Sequence, residues 1–159
     1  MPGRIDARLA ELGIQLPPPM KPIANYVPWV ITGNLVVISG QVPAIDGQIA
    51  FTGPISAELS AGVTEREARQ AARQCFINVL GHLKAACEGD LDRVRRVVRL
   101  GGYIASAPGF TGQAQVMNGA SDLAVEVFGE AGRHARTTIG VPVLPSDAAV
   151  EVEGMFEID

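Results

Sequence analysis

The chain has 159 residues, of which 47% are hydrophobic and 19% charged, with a formal net charge of -4. That balance fits one globular domain with a real core rather than a disordered chain, and the acidic charge weighs against a nucleic-acid binder, which would normally show a basic face. No apolar run reaches bilayer length, and the opening MPGRIDARLAELG lacks the apolar core of a signal peptide.

Residues 4–13 predict a short amphipathic helix with Ile5, Leu9 and Leu12 on one side and Gly13 as its stop. LPPPMKP follows, an extended connector that can be neither helix nor central strand. We therefore expect residues 1–22 to be an N-terminal extension and 23–159 the main domain. NYVPWVITGNLVVISGQVP holds two strand-like runs joined at Gly33-Asn34, a hairpin signal. Gly40, at the end of the second run, suits a place where the backbone must approach something closely. Residues 44–53 predict a further hairpin turning at Asp46-Gly47.

Thr64-Glu65-Arg66-Glu67 is a capping box, and the helix behind it runs to about Glu88. Ala68, Ala71, Ala72, Cys75, Val79, Leu83 and Ala86 recur in it at helical spacing. Cys75 and Cys87 lie too far apart on that helix to bond to each other, so reduced, buried thiols of a cytoplasmic protein are the plain reading. His82 and His134 are the only histidines, and without a Cys/His cluster no structural metal is expected. Residues 93–105 read as a strand. Its arginines, Arg93, Arg95, Arg96 and Arg99, suit a solvated face balanced by acidic neighbours; an RNA-binding stripe is the sharper alternative. Residues 114–131 predict a second long helix, with Val116, Ala120, Leu123, Ala124, Val127 and Phe128 inward. Two strands around Leu144-Pro145-Ser146-Asp147 complete a mixed sheet that the two helices can cover on one face.

Arg136 is out of keeping with the apolar strand it opens. A guanidinium keeps its charge, so it must turn to water or meet an anion. Pairing of the last two strands would set Glu151 near it, as an ordinary surface ion pair or as part of a site.

Tyr26, the run GNLVVISGQVP, the capped helix, and Arg136 followed by Leu144-Pro145 and VEVE together resemble the Rid family, also called the YjgF/YER057c/UK114 family. The resemblance covers Ile23 to Ile158, and NGASDLAVEVFGEAGRHAR is similar to a longer subgroup of it. It implies a chorismate-mutase-like (Bacillus type) α+β fold, with a mixed sheet and two helices packed on one face. It also implies a homotrimer with a central barrel and clefts between subunits. The implied activity is hydrolysis of reactive 2-enamino and 2-imino acids to 2-keto acids and ammonia, without metal or cofactor. By that resemblance Arg136 grips the substrate carboxylate and Glu151 orients the attacking water. Tyr26 lines the cleft, Ser39 and Gly40 supply the backbone beside the substrate, and Thr138 stands where the archetype has a cysteine. A non-catalytic trimer that senses a small carboxylate is the alternative, and RNA cleavage or translation inhibition a third; the acidic charge weighs against a nucleic-acid partner.

Overall fold

The computed structural model describes residues 1–22, 24–58 and 62–159. The domain boundary expected at Ile23 lies outside the described residues. Helix α1 (Arg4–Glu11) buries Ile5 and Leu9, and Gly13, with φ of 68°, ends its helical backbone. Its N-cap, Gly3, has no side chain to offer. Asp92 does the capping from far along the chain, accepting from the N–H groups of Ile5 at 2.8 Å and Arg4 at 2.7 Å. Those bonds, the one from Ile5 foremost, hold the Asp92 carboxyl below its usual pKa.

Strands β1 (Trp29–Thr32) and β2 (Leu35–Gln41) form the expected hairpin, with Thr32 opposite Leu35 across Gly33-Asn34. β3 (Ala44–Ile45) and β4 (Gln48–Ile49) form a second, very short one. Asp46 and Gly47 both take positive φ, which a two-residue hairpin turn of this kind requires. Helix α2 (Glu65–Ala86) opens with its capping box made: Thr64 Oγ1 accepts from Glu67 N–H at 3.2 Å, and the Glu67 carboxylate accepts from Thr64 N–H at 2.9 Å. All seven core positions read from its periodicity are buried, and so are Phe76 and Leu80. Phe76 stacks on Phe156 with ring centroids 6.4 Å apart, locking α2 to the sheet. The chain continues as β5 (Val94–Ala105), α3 (Gln113–Phe128), β6 (Ala135–Val141) and β7 (Val150–Ile158). α3 packs against α2 so closely that a Cβ at Gly119 would overlap the Arg69 backbone carbonyl.

The main sheet runs β1-β2-β7-β5-β6, antiparallel throughout except for the parallel pair β5–β6. This corrects one expectation: β6 and β7 do not pair. The α3 crossover returns the chain parallel to β5, which places β6 on the sheet's edge. β7 has every second residue buried from Val150 to Ile158, so it takes a central place between β2 and β5. β6, mostly exposed, suits the edge. Helices α2 and α3 cover one face and α1 packs on α3, giving the mixed α+β architecture expected. No helix among the described residues is long and apolar enough to cross a membrane.

Candidate active site

The two faces of the sheet divide the expected site residues. A Cβ at Gly102 would meet Met117 of α3, so that position faces the helices; a Cβ at Gly101 would meet Glu153, so that one faces away. Thr138 lies beside Gly102 and Arg136 beside Leu100, both on the helix-covered face. Glu151 lies opposite Tyr103, in step with Gly101 and Glu153 and hence on the open face. Arg136 and Glu151 are thus two strands and three residues apart, roughly 14 Å between Cα positions at ordinary sheet spacings. The pairing of Arg136 with Glu151 that strand adjacency suggested does not occur within the chain.

Around Glu151 the sheet is irregular. β2 pairs Ile38 with Gly154 but Gln41 with Val152, so Ser39 and Gly40 form a bulge. The Glu151 carboxylate fills the space that a Cβ on Gly40 would need, which is the close approach read from the sequence. Ser39 serves this wall indirectly. Its hydroxyl donates to the Val27 carbonyl at 2.7 Å and its N–H to that of Pro28 at 2.9 Å, pinning the loop that carries Tyr26. Tyr26, Gly40, Gln41, His82, Ser146 and Glu151 then line a cleft of about 490 Å³. A larger hollow of about 790 Å³ under the proline connector contains none of the expected site residues.

Glu151 is half-buried, and its pKa is raised by that burial and then by the charge of Glu153. Glu153 is itself held by Arg99 at 3.3 Å and by the Tyr103 hydroxyl, which donates to it at 3.2 Å. No side chain among the described residues donates to Glu151. Its carboxylate is therefore available to a water, and its raised pKa makes it a stronger base than an ordinary glutamate. His82, buried against Trp29, leaves Nδ1 without a partner among the described residues, and burial holds its pKa below the usual value. Cys75 donates its S–H to the Val150 carbonyl at 3.5 Å; burial and then Glu151 push its pKa up, so it is no thiolate nucleophile.

Arg136 is half-buried, with its guanidinium bonded to α3. Nη1 donates to Asn118 Oδ1 at 2.8 Å and to Ser121 Oγ at 3.2 Å, and Nη2 to the Ala114 carbonyl at 3.3 Å. Every one of these acceptors is neutral. By contrast Arg93 and Arg95 pair with Asp159, and Arg99 with Glu153, as a balanced strand face should. Thr138, two residues on, has a buried hydroxyl with no partner among the described residues. Sequence reasoning missed Asn118, Ser121, His82 and His134. The signal for two of them was present: Asn118 and Ser121 are spaced i, i+3, and so share one side of α3.

The sequence matches, over residues 6–157, the family described as "YjgF/chorismate_mutase-like, putative endoribonuclease". Protein TCP17 of Trypanosoma cruzi is 47% identical over 158 residues, 99% of this chain and 96% of that protein. The crystal structure of Atu1372 from Agrobacterium tumefaciens, of unknown function, superposes with a TM-score of 0.88 at 46% identity, covering 98% of this chain and 92% of that one. A 2-iminobutanoate/2-iminopropanoate deaminase of Dermatophagoides farinae is 29% identical over 92% of this chain and 95% of its own length. The match spans nearly every element described above, and the chain belongs to the YjgF/chorismate-mutase-like family.

Proposed function

We propose that the chain is the protomer of a homotrimeric hydrolase of reactive 2-enamino and 2-imino acids, with each site shared between two protomers. The observation that carries this reading is the state of Arg136: a half-buried guanidinium, oriented by three neutral acceptors and without a carboxylate partner among the described residues. A charge held that way is completed by an anion from outside, and a carboxylate fits its planar fork. The similarity to an imino-acid deaminase supports the same substrate class.

A 2-imino acid places a carboxylate next to an electrophilic C=N carbon. Arg136 would hold the carboxylate and fix the carbon's position. Glu151 of a neighbouring protomer would take a proton from water as its oxygen adds to that carbon. That proton passes to nitrogen to give the carbinolamine; its hydroxyl proton then moves through Glu151 to the nitrogen as the C–N bond breaks and the C=O forms, so that ammonia leaves and a 2-oxo acid remains. Tyr26 would shield the cleft. The imine supplies its own electrophile, so a site of few groups suffices. The separation of Arg136 from Glu151 within one chain is accounted for if the edge strand β6 of one protomer abuts the cleft of the next.

The test is release of 2-oxo acid from freshly generated 2-aminoacrylate. Wild-type protein should accelerate it and Arg136→Ala should return it to the uncatalysed rate. Full activity in the variant refutes the assignment. Tight carboxylate binding without turnover by the wild type would favour a metabolite-sensing trimer instead.

A further inference from the structure

The NGASD and GRHAR stretches meet behind Arg136. His134 Nδ1 lies 2.6 Å from the Gly132 carbonyl, and a carbonyl can only accept, so Nδ1 carries a proton. In the neutral ring Nε2 is then an acceptor, and it lies 2.9 Å from Ser121 Oγ. The Ser121 hydroxyl donates to it and turns its lone pairs to Arg136 Nη1. Burial keeps His134 below its ordinary pKa; the Gly132 bond opposes this and the Arg136 charge adds to it. The hydrogen-bond chain therefore has a fixed direction, Arg136 to Ser121 to His134 to Gly132, and each member polarises the next.

Counting donors shows what this achieves. A guanidinium has five N–H groups. Asn118 and Ser121 take both on Nη1, and Ala114 takes one on Nη2. Among the described residues this leaves Nε–H and one N–H on Nη2 without an acceptor, on neighbouring nitrogens of one edge. We infer that Ser121 and His134 are positioning residues for Arg136, which tie down Nη1 so that Nε and Nη2 present one paired donor edge to a single planar carboxylate. This rests on the carboxylate-gripping role of Arg136 and adds the two residues that set its geometry. It also names the ligand class, a small monocarboxylate approached edge-on.

Calorimetric titration with 2-oxobutanoate, a stable carboxylate probe, tests it. Wild type should bind and Arg136→Ala should not. Ser121→Ala and His134→Phe should each weaken binding about tenfold, the scale of one lost hydrogen bond to a charged group. The two changes combined should cost no more than either alone, because the chain acts as a unit. Ser121→Thr, which keeps the hydroxyl, should restore affinity. In turnover the same variants should raise KM by about that factor and alter kcat less than about twofold. Should Ser121→Ala fail to fold, His134→Phe against His134→Gln, which keeps an acceptor, decides the point. If Ser121→Ala and His134→Phe bind like wild type while Arg136→Ala does not, the positioning role is refuted and the Arg136 reading stands. If Arg136→Ala binds like wild type, or wild type does not bind, both are refuted.

Discussion

Glu151 and Gly40 hold the cleft together: the carboxylate sits where any other residue at position 40 would place its Cβ. Gly40→Ala should therefore displace Glu151 and reduce turnover while leaving most of the core intact. Glu151→Gln should lower kcat by about 10²–10⁴-fold, the usual contribution of a general base. Its stability effect has a definite sign. Burial raises the folded-state pKa of Glu151 above its unfolded value, so the folded chain binds that proton more tightly. The associated stability is full below the ordinary glutamate pKa and lost as pH rises through the folded value. The Gln variant, which never ionises, should thus melt above wild type at pH 8 and match it near pH 4, as differential scanning calorimetry at the two pH values would show. Gly40 and Arg136 were legible in sequence because each breaks a local pattern. His82 was not, since a histidine on an apolar helix face looks like any packed ring until its neighbours are known.

Secondary structure was the most legible scale, for reasons carried by short stretches of chain. The capping box at Thr64, the Asp46-Gly47 turn and the 3.6-residue apolar stripe of α2 each act within a few residues, and each folds as written. The cap of α1 is different. Gly3 cannot cap, and the residue that does, Asp92, is remote in sequence and offers no local sign of its role. Asp92→Ala should cost about 1–2 kcal/mol, the range for loss of an N-cap, and loosen α1 first. Hydrogen exchange at the amides of Ile5 and Leu9 would rise before global protection fell. Because the folded-state pKa of Asp92 is depressed, this contribution is present above the ordinary aspartate pKa and is lost as pH falls below roughly 4. Selective release of α1 in acid, absent in Asp92→Ala, would confirm it.

For the whole molecule, the decisive fact is that Arg136 and Glu151 occupy opposite faces and separate strands. A shared site predicts complementation. Arg136→Ala and Glu151→Gln protomers, each inactive alone, should regain about one quarter of wild-type turnover when co-refolded at equal amounts, because random mixing unites an intact Arg136 with an intact Glu151 at one interface in four. Sedimentation of the mixture should give a single trimeric mass. No recovery in such trimers would exclude a site between protomers. Val30, Ile31 and Ile139, exposed on the edge strands, are apolar surface that association would cover.

From sequence alone came the extents of the helices, both hairpin turns, the core face of α2 and α3, the family, and the oddity of Arg136. All of these depend on interactions within a turn or two of chain, or on spacings along it. Only the tertiary structure decided which strands are neighbours, that β7 is central and β6 peripheral, and what surrounds the guanidinium. Strand order follows from which crossover buries more apolar surface, and that sum runs over contacts between residues far apart in the chain. The neighbours of Arg136 and the cap of α1 follow from it in turn.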